Sequence, residues 1–187
     1  MVCYDVSVVV PFRDDEEVIG ASVAGLARYL RKQKYSFEIV AVDDDCGDNS
    51  VALLALIRAD HPELVMANST GRGRGYQTGV RMAQGRVVWC VEPGAALAAL
   101  GSFEAAYCRI AGGELDVLVV DGFVLARRNR VLPIVDRVKG YGSGFQRQLV
   151  QRSEQRRLSV DGPMQGGLSR RAVQLAAALW QGRGLAV

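Results

Sequence analysis

At 187 residues, 49% of them hydrophobic and 23% charged, the chain has the apolar content of one domain that folds alone, which excludes a disordered or fibrous polypeptide. No uncharged apolar run approaches the roughly 20 residues that span a bilayer, and "MVCYDVSVVV" has neither the basic region nor the cleavage site of a secretory leader, so the expected location is cytoplasmic. The net charge of +3 is spread unevenly, because residues 1–126 carry 11 Lys/Arg against 17 Asp/Glu whereas residues 127–157 carry 9 against 2.

Along the chain, the first apolar run is "VSVVVPF" (Val6 to Phe12), followed by a helical pattern with Val18, Val23, Leu26, Ala27 and Leu30 on one face. A second run, "FEIVAVD" (Phe37 to Asp43), precedes "DNSVALLALIRADHP", which opens on an Asp/Asn/Ser cap and stops before Pro62. "LVMA" (Leu64 to Ala67) and "RVVWCVE" (Arg86 to Glu92) read as the third and fourth strands, and "ELDVLVVDGF" (Glu114 to Phe123), after a helix around Phe103 to Ala111, as the fifth. Further on, Leu132, Val135, Val138, Phe145 and Leu149 form an amphipathic pattern interrupted at Gly140, Gly142 and Gly144, which predicts a break or a loop. Ser169 to Trp180 then reads as a capped helix whose apolar face suits a homodimer. Val-rich and Ile-rich strands alternating with helices predict an α/β fold with a mostly parallel central sheet flanked by helices.

Cys3, Cys46, Cys90 and Cys108 have no C-x-x-C or Cys/His spacing, which speaks against a zinc site or a disulfide framework. His61, beside Pro62, reads as a solvated helix end. The basic segment 127–157 suits a phosphate-bearing or anionic-surface partner, and a solvated helix face would look the same.

Ligands of parallel sheets bind beyond the carboxyl ends of the strands. Those ends carry "PFRDDEE", "DDDCGD", "NSTGRGRG" and "EPG": carboxylates suited to base or ribose donors, and glycines that let backbone approach phosphate. "GRGRG" is neither a dinucleotide fingerprint after the first strand nor a phosphate-binding P-loop, and no nucleic-acid partner is expected.

In this order the strand ends resemble the nucleotide-sugar-binding half of family 2 glycosyltransferases of GT-A fold, most of all the polyprenyl-phosphate (dolichol-phosphate) mannosyltransferase type. The family's P-x-Y-N-E-E is matched by Pro11-Phe12-Arg13-Asp14-Asp15-Glu16 and its V-D-D-G-S-x-D by Val42 to Asp48. Its N-x-G-K-G is matched by Gly71-Arg72-Gly73, followed by Gly79, Ala83 and Gly85. The resemblance implies one GT-A domain over residues 1–187, with a nucleotide-sugar half at 1–94 and an acceptor-side half at 95–187. It implies a nucleoside diphosphate sugar held by Pro11, Phe12, Arg13, Asp15, Asp43, Asp44, Gly71, Arg72 and Gly73. Where the family carries D-x-D for Mg²⁺ or Mn²⁺, this chain has Glu92-Pro93-Gly94, a degenerate motif that leaves Glu92 as the candidate catalytic and metal-ligating residue. Asp161 is an acceptor-side candidate with an alternative reading as a turn residue before Gly162-Pro163, and Arg127, Arg128 and Arg130 are candidates for a lipid-phosphate acceptor or an anionic membrane surface, which would make the protein peripheral to the membrane. Two functions follow from the resemblance: sugar transfer from a nucleoside diphosphate sugar, or a degenerate relative that binds nucleotide or acts as a scaffold.

Overall fold

The computed structural model describes residues 4–120 and 122–162. The strands are β1 (Val6–Phe12), β2 (Phe37–Asp43), β3 (Leu64–Asn68), β4 (Val87–Val91), β5 (Val117–Val120), β6 (Phe123–Arg127) and β7 (Val160–Asp161). Between them lie α1 (Ile19–Lys32), α2 (Ser50–Ile57), α3 (Gly75–Met82), α4 (Pro93–Ala111), α5 (Arg128–Val135) and α6 (Gly142–Gln155). The seven strands form one sheet in the order β3-β2-β1-β4-β6-β5-β7, with β6 antiparallel to both its neighbours and every other pairing parallel. Among the described residues no helix is long and apolar enough to cross a membrane.

Both faces of β1 are covered, which is why its sequence is a continuous apolar run with no alternation. Val6, Val8, Val10 and Phe12 enter a core under α1 and α4, while Val9 enters a second core under α3, α5 and α6. The first core is centred on Trp89, stacked on Phe103 at 4.3 Å between ring centroids, and the second on Tyr76, stacked on Phe145 at 4.3 Å. Both aromatic pairs join a helix to the rest of the molecule, so each contributes its buried area plus about 0.5–1.5 kcal/mol of ring interaction. Helix α1 buries Val23, Leu26, Ala27 and Leu30 as the helical spacing predicts, and adds Ile19 and Ser22, while Val18 is exposed just ahead of the helix.

Two elements differ from the sequence expectation. Helix α4 begins at Pro93, ten residues before the stretch read as helical, because Pro93 occupies the first turn where its missing N–H costs nothing. The expected single strand from Glu114 to Phe123 is instead the hairpin β5–β6, reversed beside Gly122, whose φ of +90° is a left-handed conformation that favours glycine. The reversal has a functional consequence: it sends β6 back toward the amino ends of β1 and β4, pairing Arg127 with Val87. A break is present at Gly140, in the 136–141 segment between α5 and α6, whereas Gly142 and Gly144 belong to the first turn of α6 and do not interrupt it. The Ser169 to Trp180 helix, and the homodimer expected of it, lie outside the described residues.

Candidate functional site

The carboxyl ends of β2 and β3 and the loops after them build one open cavity of about 320 Å³, lined by Asp43, Asp44, Asp45, Asn68, Ser69, Gly71 and Arg72. Asp43 closes β2, and its Oδ1 accepts the Cys46 N–H at 2.9 Å, which folds the acidic loop back on itself. The neighbouring Asp44 is fully buried, and its Oδ2 accepts the Gly73 N–H at 2.6 Å. Burial alone would raise this carboxyl, but the Ser69 and Tyr141 hydroxyls and the Gly73 amide outweigh it and hold Asp44 below its ordinary value, so it carries a charge. Asp44 thereby fixes the glycine-rich turn after β3 against the end of β2.

The structure therefore brings Asp43, Asp44, Gly71 and Arg72 to one cavity, with Gly73 attached through Asp44. Pro11 and Phe12 are buried in β1, whereas Arg13 is exposed and lies 3.8 Å from Asp14. Asp15 has a structural task, since its Oδ2 accepts the Arg13 N–H at 2.9 Å and shapes the loop after β1.

Glu92 stands one residue past the end of β4, outside the strand in which the sequence reading put it, and lines a second cavity of about 180 Å³ together with Tyr76, Cys90, Gly142, Phe145 and Gln146. Its Oε1 accepts the N–H of Gly142, the first residue of α6, at 2.5 Å. One carboxylate oxygen facing a backbone donor, with Gly94 offering no side chain two residues on, does not fit a divalent cation, which requires several oxygen ligands. Among the described residues, the one group of three ligand atoms gathered within 4.8 Å is Asp14, Cys46 and Asp48, and it does not include Glu92. Two of its members are already engaged in holding loops: Asp14 Oδ1 accepts the Gly47 N–H at 2.7 Å, and Asp48 accepts the Glu16 and Ser50 N–H groups at 2.9 and 3.0 Å.

The remaining candidates are elsewhere. Asp161 lies on the edge strand β7, separated from β4 by β5 and β6, and its Oδ2 is paired with Arg109 at 2.6 Å. Three strand spacings amount to roughly 14 Å, so the structure does not bring Asp161 to Glu92. Arg127, Arg128 and Arg130 stand at the opposite end of the sheet from the two cavities, as a result of the β6 reversal. Arg127 and Arg130 face Asp116 at 3.7 and 3.3 Å, and the Arg128 N–H donates to Arg86 O at 3.0 Å. Four residues of β4 separate that end from Glu92, roughly 16 Å at strand spacing. Sequence reasoning missed Tyr141 and Gly142, whose signal was the glycine-rich "KGYGSG", legible only as a break.

Residues 7–93 match the family model described as "Glycosyl transferase family 2". No curated protein matches the sequence. Three solved structures are similar in fold. The mannosyltransferase PcManGT from Pyrobaculum calidifontis, in complex with GDP-Man and Mn²⁺, has a TM-score of 0.57 at 14% identity over 100% of this chain and 66% of its own. TarS 1-349 of S. aureus, in complex with UDP, has 0.58 at 14% over 97% and 67%. Glucosyl-3-phosphoglycerate synthase from Mycobacterium tuberculosis, with Mn²⁺, UDP and glucosyl-3-phosphoglycerate, has 0.60 at 12% over 98% and 81%. The chain thus spans about two thirds of the first two, and identities this low speak to the fold. The seven-stranded sheet, the cavity at its carboxyl edge and these neighbours together establish an α/β fold of the GT-A glycosyltransferase type, with residues 7–93 matching the family 2 model.

Proposed function

We propose that the protein is a glycosyltransferase that moves a sugar from a nucleoside diphosphate sugar to an acceptor. The observation that carries this reading is the cavity of Asp43, Asp44, Asp45, Gly71 and Arg72, built from two neighbouring strand ends within the region that matches the family model. Carboxylates held in place by backbone N–H groups accept from the base and ribose donors of a nucleotide and reject ligands without those donors. Arg72, exposed at the rim, meets the diphosphate. In the transfer the acceptor oxygen forms a bond to the anomeric carbon while the bond from that carbon to the diphosphate oxygen breaks, and the nucleoside diphosphate leaves with the electron pair. Positive groups at the leaving oxygen lower that barrier.

Glu92 is the one carboxylate among the residues lining the second cavity, which supports an acceptor-side role. With Oε1 bound to Gly142, Oε2 remains to accept a hydrogen bond from an incoming acceptor. A lipid-phosphate acceptor held by Arg127, Arg128 and Arg130 is not supported by their position. Arg130 is exposed and Arg127 and Arg128 are half-buried at that end, and their reading is peripheral attachment to an anionic bilayer.

The test is calorimetric titration of the protein with UDP and GDP. One of them is expected to bind, and Asp44→Ala to weaken it roughly tenfold to a hundredfold by removing a charged acceptor and freeing the Gly71–Gly73 turn. Equal affinity in the variant, with its fold intact by circular dichroism, would count against the reading.

A further inference from the structure

The short segment Gly140–Tyr141–Gly142 touches three strand-end loops at once. The Gly140 N–H donates to Gly73 O at 2.9 Å, in the turn after β3. The Tyr141 hydroxyl faces Asp44 at the end of β2, and burial and that carboxylate together push its phenol up. The Gly142 N–H donates to Glu92 at the end of β4. On one side the segment is held by Gln77, whose Nε2 donates to Val138 O and, at 3.2 Å, to Asp136 O. On the other it continues into α6 through buried Phe145 and Leu149. Gly140 at φ +89° and Gly142 at +49° occupy left-handed backbone, so this path suits glycine and disfavours branched side chains. The segment is a strap across the carboxyl edge of the sheet.

We propose that Glu92 anchors this strap in place of a divalent cation, and that the nucleoside diphosphate of the reading above is bound without metal, its charge met by Arg13, Arg72 and Arg74 together with backbone N–H groups. Glu92 sits at the amino end of the 14-residue helix α6, where the helix dipole and an unpaired N–H both favour a carboxylate. The same N–H presents a positive end to the site and opposes a cation there. The alternative source of positive charge is at hand. Arg72 lines the nucleotide cavity, Arg74 follows Gly73 by one residue, and Arg13 is close enough to Tyr141 to act on its hydroxyl. Arg13, Arg72 and Arg74 are all exposed, and Arg72 and Arg74 form no ion pair within 4.0 Å among the described residues. The strap thus stands where a metal bridge would: hydrogen bonds at Gly142 and Gly140 link the carboxylate after β4 to the nucleotide loops.

The experiment combines amide hydrogen exchange over residues 140–146 with titration of UDP and GDP, each in Mn²⁺ and in EDTA, on the wild type, Glu92→Gln and Glu92→Ala. Glutamine keeps an oxygen for the Gly142 N–H and removes the charge a cation needs, so it separates the two roles. Expected is wild-type exchange at Gly142 in Glu92→Gln, exchange about tenfold faster or more in Glu92→Ala, and nucleotide affinity equal in Mn²⁺ and EDTA for the wild type and Glu92→Gln. Binding that needs Mn²⁺ and is lost in Glu92→Gln overturns the inference and leaves the transferase reading standing. Unchanged exchange in Glu92→Ala also overturns it. Failure of both nucleotides to bind in either condition overturns the transferase reading, and the metal-free binding with it.

Discussion

The two halves of the molecule treat their strand ends differently. At β1, β2 and β3 the strands end in short polar loops bound within themselves and to the neighbouring loop: Asp43 binds the amide of Cys46 three residues on, and Asp44 reaches the next loop over. Beyond them, the residue after β4, Glu92, has its partner 50 residues away in sequence, and β6 turns a basic stretch to the far end of the sheet. Candidate residues of the first region are therefore fixed by bonds within and between adjacent loops, and those of the second by topology.

The two regions share the core around Trp89. Trp89→Ala, which empties the stack with Phe103 on β4, is expected to cost about 3–5 kcal/mol, read as a shift in chemical denaturation midpoint; a much smaller loss would show that the halves are stabilised separately. Next in size is Asp44→Ala, with the loss of nucleotide affinity given above. Asp44→Asn gives a pH-dependent signature. The folded-state pKa of Asp44 lies below the ordinary value of 3.8, so its contribution to stability is present above that value and is lost as the pH falls through the lower folded one. The stability gap between wild type and Asp44→Asn should therefore narrow in denaturation curves taken at successively lower pH below 3.8; a constant gap would mean that packing, and not charge, is what the variant loses. Smallest is the double variant Arg127→Ala/Arg130→Ala. Nucleotide affinity should stay within about twofold of wild type, because these side chains are at the opposite end of the sheet and share no partner with the nucleotide cavity. Sedimentation with anionic vesicles at low salt should nevertheless fall. A loss of nucleotide affinity would place the basic segment at the site after all.

Much of the first half was legible in the sequence. Strands β1 and β2 begin and end at the predicted residues, because doubly covered strands are continuous apolar runs and their polar ends are abrupt. Asp43, Asp44, Gly71 and Arg72 lie in strand-end stretches that the same logic marks, and the family resemblance is what singles them out. The hairpin was missed although its signal was present: Asp121-Gly122 between "LVV" and "FVLA" is a turn pair flanked by apolar runs, and it reads as a single long strand only when the turn is ignored. The role of Glu92 had no local signal. A carboxylate at a strand end looks the same whether its partner is an ion or the amide of a residue far along the chain, and only the folded path of 140–142 decides between them.

The sheet order also bears on how the chain reaches this structure. Val8 pairs with Trp89 about 80 residues later, whereas Val120 pairs with Phe123 across a tight turn. Closing the long loop costs more chain entropy than closing the short one. The order of events that follows is early formation of the β5–β6 hairpin and of the β1-α1-β2 unit, with the β1–β4 seam zipped last. Pulse-labelled hydrogen exchange during refolding would show it as amides of β5 and β6 protected ahead of those along the β1–β4 seam, so that the anchor at Glu92 is assembled only when the two halves have met.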